Sequence, residues 1–190
     1  MAIQMHTKLV NELQCDVGKN IVVELCKRSP AIRHNYKDLG ICYWCLKEFT
    51  VRFDRGIVCP DGKFMRTRRV FDAILMVEPS INSLSQRWTF KVGIEVKSNL
   101  KDLLADNKMQ YYLGWTDFFF IGVPDNLIDS AIEKASGDIR IGVVSLNSGK
   151  VIKMPAWQDV TMGRKWEIME QAFYNYMTKG IDKISFKASI

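Results

Sequence analysis

Two neighbouring apolar stretches of the sequence contain ionisable residues whose types and spacing could support metal-assisted chemistry. Asp72 interrupts the first stretch, and Glu95 and Lys97 occupy alternate positions in the second. Because successive side chains of a β-strand point to opposite faces, Glu95 and Lys97 would share one face of a sheet. Carboxylate oxygens are ligands that Mg²⁺ prefers, and an amine beside them can assist reaction at a phosphate. Asp72, Glu95 and Lys97 are therefore the candidate catalytic residues.

A second interpretation of these three residues requires no chemistry. An edge strand could carry Glu95 and Lys97 on its solvated face, where such a pair contributes little. Burial would distinguish the two interpretations, since an unpaired charge is costly to bury. The order of the surrounding elements favours the metal site.

The elements that must position these residues are two central strands, 68–76 and 92–97, joined by a long polar turn over residues 78–87. Ser98-Asn99 then predicts the start of a helix that ends near Leu113, before Gly114, with Leu100, Leu103 and Leu104 on its buried face. The remaining predicted elements are a strand over 44–53, a hairpin extension over 56–65, strands over 118–123 and 139–146, a helix over 125–136, a short strand after the turn at 147–150, and a closing helix over 162–179.

The N-terminal region predicts a helix over 8–15 and 21–28 that is broken or kinked near Gly18. Ser29-Pro30 ends this helix, because a residue before proline disfavours the helical conformation. His6 and His34 are single histidines without a partner at a recognisable spacing, and no role is assigned to them.

The order of these segments resembles the PD-(D/E)XK nuclease superfamily, which has the restriction-endonuclease-like fold. The motif consists of Phe71-Asp72 and Glu95-Val96-Lys97, without the proline of its first half. The sequence is most similar to the MmcB-like DNA-repair branch, and the similarity spans roughly residues 42–155. The segments that carry it are, in order, Leu46-Lys47-Glu48-Phe49-Thr50, Arg68-Arg69-Val70-Phe71-Asp72, Ile94-Glu95-Val96-Lys97-Ser98, Asp102-Leu103-Leu104-Ala105-Asp106-Asn107-Lys108 and Phe118-Phe119-Phe120-Ile121-Gly122-Val123-Pro124.

This resemblance implies a three-layer α/β fold with a mixed central β-sheet flanked by helices. It implies one domain over residues 1–190, with helical extensions at both ends. The implied function is a metal-dependent nuclease that hydrolyses DNA phosphodiester bonds in DNA repair or mobile-element maintenance. The implied cofactor is Mg²⁺, for which Mn²⁺ is expected to substitute.

The resemblance also implies roles for individual residues. Asp72 and Glu95 would hold the metal, with the backbone carbonyl of Val96 as an additional ligand. Lys97 would orient or deprotonate a water molecule and stabilise the transition state, and its pKa could fall through desolvation or rise beside the carboxylates. Glu48 falls where the pattern has an upstream glutamate, although an exposed glutamate on a half-buried strand is the alternative.

Basic residues near the motif suggest DNA as the partner. Arg66, Arg68 and Arg69 precede Asp72, and guanidinium groups suit phosphate contacts that position a nucleic acid. Lys108 is a further candidate phosphate contact, and Gln110 a candidate supporting residue on the same predicted helix. The net charge of +6 favours a polyanionic partner, although solubility alone could explain these residues.

Two other functions remain open at this stage. The chain could bind nucleic acid on the same fold without cutting it, because fold does not determine function. It could also be a structural or partner-binding module whose charges are ordinary surface. Mg²⁺-dependent cleavage separates the nuclease from both.

The cysteines and the hydropathy suggest a compartment. No apolar stretch is long enough to span a bilayer and residues 1–7 lack the apolar segment of a signal peptide, so we expect a cytoplasmic protein with no membrane partner. The five cysteines are then expected to be free thiols. Cys42, Cys45 and Cys59 could instead supply three zinc ligands, with Cys26 or His34 as the fourth.

The closing helix carries large apolar residues at helical spacing. Trp166, Met169, Phe173, Tyr176 and Met177 recur along it, a pattern more typical of core or of a protein interface than of a ligand site. The sequence leaves the oligomeric state open, with a dimer as one possibility.

Overall fold

The structure is a computed structural model that describes residues 2–13, 16–29, 40–52, 57–58, 64–65, 68–79, 90–179 and 183–187. Its helices are α1 (Ala2–Glu12), α2 (Asp16–Arg28), α3 (Leu100–Ala105), α4 (Ile128–Ala135) and α5 (Met162–Lys179), with 3₁₀ turns at Met109–Tyr111 and Asp125–Leu127. Its strands are β1 (Gly40–Arg52), β2 (Ile57–Val58), β3 (Phe64–Met65), β4 (Arg68–Pro79), β5 (Phe90–Val96), β6 (Phe118–Val123), β7 (Ile141–Ser145), β8 (Val151–Lys153) and β9 (Lys183–Lys187).

Seven of the described strands form one mixed sheet in the order β8-β7-β6-β5-β4-β1-β9, and β2 and β3 pair separately. Strands β5, β6 and β7 are parallel neighbours, whereas the other adjacent pairs are antiparallel. Parallel neighbours need a crossover connection, and α3 and α4 lie in these two connections. Strand β5 is therefore central, between antiparallel β4 and parallel β6, and it is buried along its whole length.

Apolar side chains pack on both faces of the sheet. On one face, α1 and α2 contribute Leu9 and Ile21 to a cluster with Ile94 of β5. On the other face, α3 and α5 contribute Leu103 and Ile168 to a second cluster that also contains α4 and β6 side chains. Helices therefore cover both faces of a mixed sheet, and the predicted three-layer α/β architecture is confirmed.

The N-terminal helical region is divided into two helices as predicted, but the position is wrong, because the boundary falls between Glu12 and Asp16 and Gly18 lies inside α2. The glycine has a packing reason. A Cβ atom built on Gly18 would lie 2.1 Å from the backbone oxygen of Leu13 and 2.8 Å from Tyr43 Oη. Close approach of α2 to its neighbours therefore requires a residue without a side chain.

The helix after Lys97 is much shorter than predicted. It ends at Ala105, and Asp106 has an extended backbone with φ −76° and ψ 108°. The Asp106 side chain accepts a hydrogen bond from the backbone N–H of Lys108 at 2.7 Å, which turns the chain out of the helix. Leu103 is buried as predicted, but Leu100 and Leu104 are exposed.

Other predictions agree with the structure. Strand β6 and helix α5 have the predicted bounds, and β2 pairs with β3 in the predicted hairpin extension. Strand β9 was not anticipated. The predicted polar turn over 78–87 is wrong at its start, because β4 continues to Pro79, and the rest of that turn and the predicted turn at 60–63 lie outside the described residues. Among the helices that the structure describes, none is long and apolar enough to cross a membrane.

Candidate active site

The pairing of β4 with β5 brings Asp72 and Glu95 together. The last paired residues are Ala73 and Ile94, so one further step in this antiparallel register sets Asp72 opposite Glu95. Directly opposite residues share a face of the sheet. The ladder ends there because the backbone N–H of Val96 donates to Asp72 Oδ2 at 2.7 Å. A carboxylate thus replaces a backbone acceptor at the end of the hairpin.

Lys97 follows β5 directly, and its ammonium group lies among three carboxylates. Lys97 Nζ is 2.7 Å from Asp106 Oδ2, 3.1 Å from Glu95 Oε1 and 3.8 Å from Asp102 Oδ2. The side chains of Lys97 and Asp106 are only 7% and 5% exposed. The predicted convergence of Asp72, Glu95 and Lys97 is therefore present, and burial excludes the interpretation of a solvated edge strand.

Glu95 is the most perturbed carboxyl group of the site. Burial and, to a smaller extent, the neighbouring carboxylate of Asp72 raise its pKa, Lys97 opposes both effects, and the net result is a pKa of about 8. Its Oε1 accepts a hydrogen bond from Lys97 Nζ at 3.1 Å. Its Oε2 is buried and has no hydrogen-bond partner among the described residues. A buried acceptor of this kind is costly unless a ligand satisfies it.

Both carboxylate oxygens of Asp72 have a polar partner. Burial raises its pKa, and the hydrogen bond from Val96 and the proximity of His6 oppose that increase. His6 Nε2 on α1 lies 3.3 Å from Asp72 Oδ1. A residue from the helical layer on the opposite side of the sheet from α3 therefore reaches the site.

Lys97 remains charged in this surrounding. Burial alone would lower the pKa of its ammonium group, but Glu95 and Asp106 outweigh burial and raise the pKa above its ordinary value. Of the two predicted changes in the pKa of Lys97, the increase caused by the neighbouring carboxylates is the one that the structure supports. Lys97 is therefore suited to stabilise negative charge and poorly suited to accept a proton.

Glu48 lies beside the site in the sheet but is not drawn into it. The register of β1 and β4 pairs Lys47 with Ala73 and Phe49 with Phe71, and leaves Glu48 and Asp72 unpaired between them. Glu48 has φ +48°, a left-handed conformation that is uncommon outside glycine. Its side chain is exposed, and no described contact joins it to Asp72.

The structure describes only some of the residues that were predicted to contact DNA. Arg66 lies outside the described residues, and of Arg68 and Arg69 only the backbone in β4 is described. Lys108 and Gln110 are exposed immediately after Asp106, although neither lies on α3. Residues 106–110 therefore bring an exposed lysine close to the carboxylate that holds Lys97.

No protein-family model matches the chain, and no curated protein is similar to it at a significant level. One solved structure that it resembles is the SPO1766 protein of unknown function from Silicibacter pomeroyi. The two chains are 16% identical, the match covers 72% of this chain and 80% of the other, and the TM-score is 0.44. A similarity this weak carries no argument about activity.

The donor set of the site fits a divalent cation with hard oxygen ligands. No group of three or more His, Cys, Asp or Glu side chains with metal-binding geometry occurs in the part of the chain that the structure describes. Two carboxylates nevertheless suffice for Mg²⁺, which commonly keeps several water ligands and binds substrate phosphates. The unsatisfied Oε2 of Glu95, next to Asp72, is the atom that such an ion would satisfy.

The cysteine pair does not form a comparable site. Cys42 and Cys45 are both buried in β1, three residues apart, and so point to opposite faces of the sheet. Cys42 Sγ lies 3.4 Å from Glu78 Oε1, whereas Cys45 packs in the cluster beneath α1 and α2. The pair therefore cannot share a zinc ion. Cys59 and His34 lie outside the described residues.

Two residues of the site were not identified from the sequence. Asp106 belongs to one of the segments that carry the resemblance but has no predicted role, and the sequence assigns none to His6. Asp106 follows a helix that ends earlier than its pattern indicates, and His6 is distant in sequence from every other member. An aspartate shortly after the Glu-x-Lys strand is the one signal that could have pointed to Asp106.

Proposed function

We propose that this chain is a metal-dependent nuclease that hydrolyses DNA phosphodiester bonds, acting in DNA repair or mobile-element maintenance. The observation that carries the proposal is the buried, unsatisfied Oε2 of Glu95 beside Asp72 and Lys97. Burying these carboxylates close together has a cost in stability, and a divalent cation would remove it. Such strongly perturbed groups cluster at functional sites.

Each residue of the site would have its own role in the reaction. Asp72 and Glu95 would hold the divalent cation, Mg²⁺ or Mn²⁺, and the Val96 carbonyl remains a proposed additional ligand. When bound, the cation would supply a more acidic water molecule and neutralise charge on the phosphate. Lys97, charged through its contacts with Glu95 and Asp106, would stabilise the negative charge that develops on the phosphoryl oxygens. Asp106 would hold the Lys97 ammonium group in position.

The proposed substrate rests on charge. The chain carries a net charge of +6, and Lys108 is exposed two residues beyond Asp106. Phosphate contacts from such lysines, from Gln110 and from Arg66, Arg68 and Arg69 would align DNA without reading its sequence.

A second candidate function is a nucleic-acid-binding protein that does not cut. The contacts of Lys97 favour this function, because its ammonium group already has carboxylate partners in Glu95 and Asp106. In that case Lys97 would serve as the internal counter-ion of the buried carboxylates and need not contact phosphate.

The experiment that tests the proposal is nicking of supercoiled plasmid in Mg²⁺. We expect Asp72→Ala and Lys97→Ala to lower the cleavage rate by about 10²-fold or more, as loss of an electrostatic catalytic group typically does. DNA affinity should change little in Lys97→Ala. Lys101→Ala removes an exposed lysine of α3 and serves as the matched control that retains cleavage.

The alternatives predict different results. Cleavage that survives in Asp72→Ala would refute the proposed site. Salt-sensitive DNA binding without cleavage by the wild-type chain would select the non-cutting protein. Circular dichroism of each variant confirms that lost activity does not reflect lost folding.

A further inference from the structure

Helix α5 carries a row of exposed apolar side chains along one side. The row consists of Met162, Trp166, Met169, Phe173 and Met177, called the apolar stripe below, and these side chains are between 47% and 67% exposed. Their spacing of three or four residues keeps them on one side of a helix with 3.6 residues per turn. Five large apolar groups in one contiguous row mark an interaction surface.

The other side of α5 is fixed to the protein. Ile168 is fully buried and Ala172 packs against the same cluster. Arg164 Nη1 donates to the backbone oxygen of Gly114 at 2.9 Å, and its guanidinium lies 5.0 Å from the ring centroid of Trp115. The helix is therefore anchored through one side, and the apolar stripe is presented outward on a rigid support.

The four outer residues of the apolar stripe are placed symmetrically about the middle of the stripe. Reversing the helix about its midpoint, next to Met169, exchanges Met162 with Met177 and Trp166 with Phe173. A symmetric dimer requires a surface that is complementary to itself, and two antiparallel copies of this stripe meet that requirement with aromatic residues opposite aromatic residues. We propose that the apolar stripe pairs with the same stripe of a second copy of this chain, with the two α5 helices antiparallel.

The exposed area is sufficient for such a pairing. Large side chains expose roughly 200 Å² each, so the five at their observed exposures contribute about 600 Å² per copy. A symmetric dimer would then bury about 1,200 Å² in total, at the lower end of specific interfaces. The dimer should therefore form reversibly, with a dissociation constant of roughly micromolar order.

The residues around the stripe argue against a membrane as the occupant. Helices that lie on membranes carry mostly lysine and arginine on their polar side. Here Glu167 and Glu170 accompany Arg164 and Lys165 on α5. Mixed charge beside an apolar row is typical of helices that pair with other helices.

Sedimentation equilibrium of the full chain tests the proposal. Between about 1 and 200 µM, a range set by the expected affinity, the wild-type chain should shift from monomer to dimer. Trp166→Asp and Phe173→Asp should each raise the dissociation constant at least about tenfold with unchanged circular dichroism. Ile139→Asp is the matched control, because Ile139 is a 74% exposed apolar residue outside α5, and it should leave the dimer intact.

Cross-linking tests the orientation. Met162→Cys and Met177→Cys are made separately in a chain carrying Cys15→Ser and Cys59→Ser, and a short bismaleimide is added. An equimolar mixture should give more cross-linked dimer than either variant alone, because an antiparallel pair sets position 162 beside position 177.

Three results would overturn the proposal. One is a wild-type chain that stays monomeric at the highest concentration. Another is a Met162→Cys variant that cross-links mainly to itself, which indicates parallel helices. The third is a monomer that cosediments with anionic phosphatidylserine vesicles through Trp166, which assigns the stripe to a membrane surface.

Discussion

At the scale of single residues, the site holds more negative than positive charge. Glu95, Asp102 and Asp106 surround Lys97, and Asp72 lies beside Glu95. The shortest contact, 2.7 Å, pairs Lys97 with Asp106, and this leaves Asp72 and Glu95 facing each other with one buried oxygen unsatisfied. This excess of buried carboxylate is what a divalent cation would compensate.

Glu95→Gln should stabilise the protein in the absence of metal. Folding raises the pKa of Glu95 from 4.5 to about 8, so the native state binds the proton more tightly and stability falls as pH rises between these values. That difference, at about 1.4 kcal/mol per pH unit, sets an upper limit of about 5 kcal/mol. The value of about 8 already includes the opposing effect of Lys97, so we expect a gain of at least about 1 kcal/mol at pH 9.

Urea unfolding with EDTA at pH 5 and pH 9 measures this effect. The gain should be largest above pH 8 and nearly absent close to pH 4.5. Glu133→Gln on α4 is the control, because Glu133 is exposed. A Glu95→Gln variant that is less stable than wild type at pH 9 would show that the Lys97 contact outweighs burial of the carboxylate.

At the scale of elements, local pattern predicted β6 and α5 within their observed bounds. Both are continuous segments with one period, and their surroundings agree with that period. Helix α3 was predicted to extend well beyond its real end at Ala105. Its early end depends on the Asp106 side chain, which contacts Lys97 and the Lys108 amide instead of continuing the helix. A contact formed by folding leaves no periodic signal in the sequence.

The strands at the site also show the difference between what a periodic pattern predicts and what depends on contacts formed by folding. Alternation indicated correctly that Glu95 in β5 and Lys97 directly after it lie on the same side of the sheet. It could not indicate that Glu48 adopts a left-handed conformation in β1 and interrupts the ladder beside Asp72. Such conformations are unfavourable by about 1–3 kcal/mol and occur often beside functional sites. The two apolar clusters follow from hydrophobic patterning, whereas the approach of His6 to Asp72 depends on how α1 packs.

Gly18→Ala should destabilise the protein through the packing of α2. The added Cβ would lie 2.1 Å from the Leu13 oxygen and 2.8 Å from Tyr43 Oη, and a backbone atom cannot move away easily. Overpacking of this kind typically costs about 1–3 kcal/mol. Gly163→Ala in α5 is the matched control, since a Cβ there meets nothing within 4 Å, and it should be neutral or stabilising. Thermal unfolding of the two variants measures the difference, and equal melting temperatures would contradict the close approach.

At the scale of the whole molecule, the site lies at the edge of the sheet that contains the carboxyl end of β5. Side chains from both helical layers meet there. Lys97 follows the carboxyl end of β5, α1 brings His6 from one layer, and α3 brings Asp106 from the other. Ligand sites of α/β proteins commonly lie beyond the carboxyl ends of parallel strands. The exposed segment after Asp106 continues from this edge, so DNA that reaches the carboxylates would pass Lys108.

Lys108→Ala should therefore weaken DNA binding in a salt-dependent manner. Each phosphate neutralised by a lysine contributes about 0.9 to the slope of log affinity against log salt concentration. Loss of one contact should lower that slope by about one and leave the maximal cleavage rate at saturating DNA unchanged. The side chain is exposed and its backbone contact with Asp106 is retained, so stability should not change. Fluorescence anisotropy of a labelled duplex with EDTA, over a series of salt concentrations, measures the slope.

The control for this prediction is Lys27→Ala, which removes an exposed lysine at the end of α2, in the other helical layer. Lys27 and Lys108 contribute equally to the net charge, so a purely global attraction would weaken binding to the same extent in both variants. A phosphate contact beside the site requires that only Lys108→Ala lowers the slope. If the two variants behave alike, DNA does not approach along residues 106–110, and the carboxylates are reached from another direction or not at all.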